Sequence, residues 1–310
     1  MQLAVSLHHG KNQQNGDKIC MSSNVSIILP AKNESAGLEQ LLQSISKEFP
    51  DSELIVVNDG STDDTRQIAE KFATKVVNHP YSMGNGAAIK NGARAASGDR
   101  LVFLDADGQH APSDIHRLIE TLDQGYEMVI GARSMESQAS WFRKVANRSF
   151  NGLASILTGV RILDLTSGFR AVSAEKFKQY LYLLPNGFSY PTTITMAFLR
   201  SGYPLTYIPI EAKKREGRSK IRPLKDGMRF LLIILKIGSL FSPLKVFLPI
   251  SLTLFATGLG YYGYTYYTVH RLTNMSAILF LASLLIFLIG IVAEQIAALH
   301  YQSADKSEIK

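Results

Sequence analysis

Two stretches near the C-terminus, Val246–Val269 and Met275–Ala293, carry no charged residue, and Glu294 is the first charge after the second. Each is about 20 residues long, the length that crosses ~30 Å of hydrocarbon. Few architectures accommodate such a pair. Either both cross a bilayer as a helical hairpin joined by the short 269–275 connection, or both are wholly buried helices of a soluble bundle. The length rule favours the hairpin, over 244–300, with spans at about 246–269 and 275–297. Tyr261, Tyr262, Tyr264, Tyr266 and Tyr267 crowd the end of the first span, as an interfacial aromatic belt does.

The segment before the hairpin is strongly basic. Lys213, Lys214, Arg215, Arg218, Lys220, Arg222, Lys225, Arg229, Lys236 and Lys245 face only Glu216 and Asp226. Over Leu224–Phe241, Lys225, Arg229 and Lys236 fall on one side of a helical pattern, and Met228, Leu231, Leu232, Ile234 and Leu235 cover much of the rest. This predicts an amphipathic helix over 222–243 lying in the headgroup plane; a solvated helix on a soluble domain is the alternative. The positive-inside rule keeps this segment, the preceding domain and the 301–310 tail cytoplasmic, and turns the hairpin loop, with Arg271 alone, to the far side. The net charge of +7 therefore concentrates at the membrane junction, which argues against a nucleic-acid partner. The single cysteine, Cys20, excludes an internal disulfide. Residues 1–23 are polar and lack the apolar core of a secretory signal, so a flexible tail is expected there.

Residues 24–221 alternate strand and helix patterns, which predicts α/β layers around a mostly parallel sheet. Val25–Leu29, Leu54–Val57, Val76–Val77, Leu101–Leu104, Glu127–Ile130 and Leu205–Ile210 read as strands. Helices are expected from Ser61, over Gly86–Ala96, after Ser113, and over Trp141–Leu157. Polar clusters stand where three strands end: Pro30-Ala31-Lys32-Asn33-Glu34, Asn58-Asp59-Gly60-Ser61-Thr62-Asp63 and Asp105-Ala106-Asp107-Gly108-Gln109-His110. Open α/β sheets bind ligands at such carboxyl ends. Two carboxylates and an amide oxygen suit Mg²⁺ or Mn²⁺, above all when phosphate oxygens complete the shell; an acidic turn that solvates a strand end is the alternative. Gly84-Asn85-Gly86 is no dinucleotide fingerprint, because it follows a later strand and the third glycine position holds Ile89. The chain also lacks a G-x-x-x-x-G-K-[ST] phosphate loop.

The series P-A-K-N-E, V-N-D-G-S-T-D, G-A-R-A-A-S-G-D and L-D-A-D-G-Q-H, in that order over about residues 24–135, resembles glycosyltransferase family 2. Gly131-Ala-Arg133, Trp141-Phe-Arg143, Asn147, Asp164-Leu-Thr-Ser167-Gly168-Phe169-Arg170 and Arg215-Glu-Gly217-Arg-Ser219-Lys220 narrow the resemblance to the dolichyl- and undecaprenyl-phosphate sugar synthases. The resemblance implies a Rossmann-like nucleotide-diphosphosugar transferase domain of the GT-A type. It also implies a metal-dependent, inverting hexosyl transfer from a nucleotide-diphosphate sugar to a polyprenyl monophosphate.

By the same resemblance, Pro30, Ala31, Glu34 and Asp59 hold the base and ribose, and Ala106 lies on the donor. Asp105 and Asp107 are the diphosphate–metal carboxylates, with Gln109 the third metal ligand. Arg133 meets the acceptor phosphate, Ser167 and Arg170 sit in the acceptor loop, and Arg215 and Lys220 close over the diphosphate. The spacing of that last pair is one residue short of the mannose synthases, so Lys214 can share the arginine's role. Asn58 stands where an acid is common. His110 reads as a structural turn residue. Partners on this reading are the nucleotide sugar, the polyprenyl phosphate and the bilayer, with self-association left open. Two competitors remain. A processive polysaccharide synthase would carry Q-x-x-R-W, which Gln138-Ala-Ser-Trp141 does not match. A non-catalytic membrane scaffold would have no reason to keep Asp105, Asp107, Gln109 and Arg133 together.

Overall fold

The computed structural model describes residues 24–133, 148, 151–152, 154–156, 158–187, 189–211, 238–239 and 241–305. Most of the amphipathic helix expected over 222–243, Arg215, Lys220 and most of the helix expected over 141–157 lie outside these residues, as do the 1–23 tail and the last five positions.

A seven-stranded sheet forms the centre, in the order β3-β2-β1-β4-β6-β5-β7. Its strands are β1 (Val25–Ala31), β2 (Glu53–Asn58), β3 (Lys75–Asn78), β4 (Arg100–Phe103), β5 (Met128–Arg133), β6 (Arg170–Ser173) and β7 (Leu205–Ile210). β1 pairs in parallel with β2 and β4, β2 with β3, and β5 with β7. Strand β6 runs antiparallel between β4 and β5, and the sequence reading had not foreseen it. The sheet is thus the mixed, Rossmann-like GT-A type.

Helices α1 (Ser35–Glu48), α2 (Thr65–Phe72), α3 (Asn85–Ala95), α4 (Asp114–Leu122), α5 (Ala174–Gln179) and α6 (Tyr190–Arg200) accompany the sheet, and the described residues 151–152 and 154–156 are helical, as expected there. Helix α2 starts at Thr65 rather than Ser61. The Asp63 carboxylate accepts from Thr65 N at 3.1 Å and Ser35 N at 3.2 Å, which holds residues 61–64 as a turn. Ser113 precedes α4 as expected, without a capping hydrogen bond from its side chain.

Strand residues alternate between two buried clusters, one per face, so both sheet faces are covered. Ile28, Phe103 and Phe177 lie in one with Ile194 and Phe198; Ile27, Leu29, Leu38 and Leu118 lie in the other. Phe241, 1% exposed, belongs to the first cluster, and Val246 packs against it, so the chain enters the hairpin from the covered face of the domain.

The hairpin is α7 (Pro243–Val269) and α8 (Asn274–Asp305), joined through His270, whose φ of 54° ends α7. Only 11% and 17% of the most apolar stretches of these helices are buried, with mean hydropathies of 1.4 and 2.8. Leu252, Phe255, Leu281, Leu285 and Val292 all stand exposed. A core helix of a soluble bundle hides such side chains, so this is a membrane protein. The two helices meet closely at small residues. A Cβ on Gly290 would lie 2.9 Å from Phe247 Cβ. Ser251 Oγ donates to Ser283 O at 2.8 Å and Ser283 Oγ to Ser251 O at 2.9 Å, so each hydroxyl is satisfied inside the pair rather than exposed to lipid.

Candidate active site

The carboxyl ends of β1, β2 and β4 open into a cleft of about 430 Å³. Pro30, Ala31 and Glu34 from the first expected cluster line it, with Asp59 from the second and Asp105, Ala106 and Asp107 from the third. Strand pairing explains the convergence. β1 carries β2 on one side and β4 on the other, so the three loops emerge side by side. Cross-bonds fix the first two loops to each other: Thr62 N donates to Asn33 Oδ1 at 2.9 Å, Asn33 N to Ser61 Oγ at 3.1 Å and Glu34 N to Thr65 Oγ1 at 3.0 Å.

Asp59 is 4% exposed and accepts from four donors: His79 Nδ1 and Ser82 Oγ at 2.7 Å, Met83 N at 2.7 Å and Gly84 N at 3.0 Å. Burial pulls its carboxyl pKa up, but the four donors, His79 first, outweigh this and hold it below the usual carboxylate value. The group therefore shapes the 79–84 loop that forms the cleft's far wall. Asn58 explains itself here. Its Nδ2 donates to Asn78 Oδ1 at 2.9 Å and its Oδ1 accepts from Ser61 N at 3.1 Å; a carboxylate has no such donor.

Nine residues line the cleft that the sequence reading had not assigned to the site, among them Lys32, Ser82, Asn85, Thr166, Gly168 and Tyr190. Lys32 Nζ donates to Ser82 Oγ at 2.9 Å, which in turn donates to Asp59. Lys32 stands in the P-A-K-N-E motif and was legible as a cation at a strand end. Gly168 brings the 164–168 loop down on the third cluster: a Cβ there would sit 3.1 Å from Asp105 Oδ2.

Asp105 and Asp107 both face this cleft. Among the described residues no three His, Cys, Asp or Glu side chains gather as a complete metal cage. Two carboxylates at a phosphate-sized opening suit a Mg²⁺ or Mn²⁺ ion that takes its remaining oxygens from the substrate and water. Gln109 Nε2 donates to Asp107 Oδ2 at 2.7 Å, so in this arrangement Gln109 orients the carboxylate. His110 stacks on Phe169 at 4.9 Å between ring centroids and is 7% exposed, in keeping with its reading as a turn residue.

Arg133, at the end of β5, is forked onto Asp164: Nε to Oδ2 at 2.9 Å and Nη2 to Oδ1 at 3.1 Å, with Nη2 also 2.8 Å from Thr166 Oγ1. Burial raises the Asp164 carboxyl, but Arg133 outweighs it and holds the pKa below 3.8. Arg133 thus reaches the cleft wall through Thr166, with Asp105 and Asp107 in its electrostatic surroundings.

Ser167 and Arg170 depart from expectation. They are 1% and 0% exposed, and neither lines the cleft. Arg170 Nη1 donates to Pro191 O at 3.2 Å and Thr195 Oγ1 at 3.1 Å, and Nη2 donates to Ser167 O. It is a buried brace between β6 and α6. The Tyr190 ring lies beside it, its centroid 6.0 Å from the guanidinium carbon.

Residues 26–181 match glycosyl transferase family 2, and residues 242–299 match the GtrB C-terminal hairpin. Among curated proteins the chain is similar to Glycosyltransferase AglJ of Haloferax volcanii, 27% identical over 299 residues, 92% of this chain and 97% of that one. An undecaprenyl-phosphate 4-deoxy-4-formamido-L-arabinose transferase of Proteus mirabilis is 36% identical over 157 residues, 47% of this chain; the match spans about half, 48%, of that protein. A polyprenol monophosphomannose synthase of Mycolicibacterium smegmatis is 29% identical over 211 residues, 63% of this chain and 80% of that one. Among solved structures, a glucosyl-3-phosphoglycerate synthase from Mycobacterium tuberculosis, in complex with Mn²⁺, UDP and glucosyl-3-phosphoglycerate, superposes with a TM-score of 0.57. It is 26% identical and covers 74% of this chain and 86% of that one.

Proposed function

The chain belongs to glycosyltransferase family 2 and is a glycosyltransferase, and from that premise we propose that it moves a hexose from a nucleoside-diphosphate sugar to a polyprenyl monophosphate, with inversion, at the cytoplasmic membrane face. The observation that carries this reading is the junction of two parts. A cleft holding Asp105 and Asp107 opposite Asp59 belongs to a domain whose core continues, through Phe241 and Val246, into a two-helix membrane hairpin. A soluble acceptor gives such a hairpin no task. The polyprenyl-phosphate substrates in the names of two relatives point the same way.

In this reading Pro30, Ala31, Glu34 and the loop that Asp59 shapes receive the nucleoside. Asp105 and Asp107, with Gln109 beside them, would hold a divalent cation, whose chemistry is to neutralise the leaving diphosphate. Mn²⁺ and Mg²⁺ in related structures support that choice. A polyprenyl monophosphate is ionised at neutral pH and needs no strong general base. Orientation is then the main contribution of the protein, and Arg133, locked by Asp164 through Nε and Nη2, would offer Nη1 to a phosphate oxygen. Arg215 and Lys220 remain proposed diphosphate contacts.

The test is a screen of nucleotide sugars with the full chain in vesicles that contain polyprenyl phosphate, with mass analysis of the lipid. A hexosyl-phosphoprenol product supports the proposal. Metal-dependent nucleotide-sugar binding with transfer only to saccharide acceptors overturns it in favour of a polysaccharide-type enzyme, and no metal-dependent binding overturns it in favour of a scaffold.

A further inference from the structure

One acidic side chain ties the membrane hairpin to the catalytic domain. Glu294 Oε1 accepts from Arg200 Nη2 at 2.9 Å, and its Oε2 accepts from Leu244 N at 3.1 Å. Three parts of the protein meet at this carboxylate: the end of α6, the first turn of α7 and α8 itself. Leu244 N is one of the donors that a helix start leaves unsatisfied, and a carboxylate there also suits the helix dipole. Arg200 closes the last turn of α6, where a cation is favoured for the same reason.

The position of Glu294 along the hairpin is informative. Twenty residues separate it from Asn274, the start of α8, which is about 30 Å of helix, one hydrocarbon thickness. Glu294 therefore marks the bilayer boundary on the side of the catalytic domain. The other end of α6 is equally informative. Tyr190 and Pro191, its first two residues, line the cleft, and Arg170 braces that end through Pro191 O and Thr195 Oγ1. One buried, three-turn helix thus runs from the cleft wall to the membrane boundary, about 16 Å.

We propose that α6 is a strut and that Glu294 and Arg200 are positioning residues that fix the height and tilt of the cleft above the bilayer, so that a phosphate anchored in lipid meets the donor sugar. This rests on the reading of the acceptor as a membrane-embedded lipid phosphate. Neither residue touches substrate; both act through α6.

The experiment compares the full chain with Glu294→Gln, Arg200→Gln and the exchange Arg200→Glu/Glu294→Arg, all reconstituted in vesicles. Glu294→Gln keeps an acceptor for Leu244 N and loses the charge pair, so it separates latch from helix cap. Three quantities are read: transfer to a long-chain polyprenyl phosphate in the bilayer, transfer to a short water-soluble prenyl phosphate, and the distance from the bilayer to a fluorophore on Tyr81→Cys in a Cys20→Ser background. Tyr81 is 67% exposed and takes a label readily.

The single variants are expected to lose about two- to fivefold in kcat/KM on the long-chain acceptor, as a partly exposed ion pair warrants. The short acceptor and nucleotide affinity should stay unchanged, the label distance should shift or broaden, and the exchange should restore part of the loss. Unchanged long-chain transfer and label distance overturn the proposal. So does an equal fall on both acceptors with a lower melting temperature, which is a folding role. If the wild type uses no polyprenyl phosphate at all, the reading of the acceptor fails, and the label distance alone decides the strut: an unaltered distance overturns it and an altered one sustains it.

Discussion

Asp59 directs its carboxylate at the 79–84 loop, accepting from Met83 N and Gly84 N and from the side chains of Ser82 and His79. Asp59→Asn replaces a charged acceptor by a neutral amide and should raise the KM for the nucleotide sugar about tenfold or more, since hydrogen bonds to charged groups contribute about 1.5–3 kcal/mol. Titration calorimetry of the donor checks it. Asp107→Ala should abolish transfer with the melting temperature kept, because its carboxylate accepts from Gln109 within its own loop; near-normal turnover would remove the metal-site assignment. Arg133 requires a gentler change. Arg133→Ala leaves Asp164, 5% exposed, as an unpaired buried carboxylate and should cost about 3–5 kcal/mol of stability. Arg133→Lys keeps the charge without the fork and should lower transfer to the lipid acceptor more than donor binding. The Asp164 pKa is depressed in the folded state, so the pair's stabilisation is complete above the ordinary 3.8 and is lost as pH falls through the lower, folded value. The melting temperatures of wild type and Arg133→Ala should therefore stay apart at pH 3.8 and draw together only as pH falls below it toward the folded value. Asp105, Asp107 and the strand-end residues were legible because motif and strand end coincide. Arg170 was placed in the acceptor loop by resemblance, and only packing reveals that Ser167 O, Pro191 O and Thr195 Oγ1 take up its Nη donors away from the cleft.

Elements were legible in proportion to their periodicity. β1, β2 and β7 are apolar runs bounded by turn residues, and the structure sets their limits within two residues of the sequence reading. β6 has four residues and begins with a buried arginine, so no run announces it. α6 is buried at nine consecutive positions, Tyr190–Phe198, and a helix enclosed on all sides has no apolar stripe to read. Its threonines satisfy themselves locally, Thr195 Oγ1 donating to Pro191 O at 2.8 Å. The start of α3 offers a test at this scale. A Cβ on Gly86 would lie 2.1 Å from Pro185 O and 2.7 Å from Gly187 O, both backbone atoms that cannot swing aside. Gly86→Ala should push the 185–187 loop off α3, breaking the Ala87 N to Asn186 O bond of 3.2 Å. The loss should be about 1–3 kcal/mol, as for other overpacked sites, with weaker donor binding because Gly84 and Asn85 line the cleft. Gly37→Ala, exposed within α1 and with open space around it, is the control and should leave donor binding unchanged while raising stability by up to about 1 kcal/mol. Thermal melting with and without nucleotide reads both.

At the scale of the whole molecule, the sequence declared two parts and concealed how they join. Twenty uncharged residues are visible to counting, whereas a contact between residue 200 and residue 294 leaves no local pattern. The joint makes removal of the hairpin a sharper test than the parts alone suggest. A chain ending at residue 242 keeps both buried clusters of the domain, including Phe241, which fills the first of them. It loses Val246 from the edge of that cluster and the Glu294 partner of Arg200. Arg200 is partly exposed already, so its release to water costs about 1 kcal/mol or less. The fragment should therefore fold, melt a few degrees lower and bind nucleotide with near-native affinity. Transfer is a different matter. A long-chain acceptor stays in the bilayer, and a fragment that keeps only the basic segment before residue 242 reaches it by reversible surface binding, so turnover on vesicle-borne acceptor should fall as the advantage of permanent tethering is lost. A short, water-soluble prenyl phosphate should recover it. Full turnover on the embedded acceptor would show that the hairpin does not place the cleft. A folded fragment that binds nucleotide but cannot use the short acceptor would mean that hairpin residues complete the acceptor site itself.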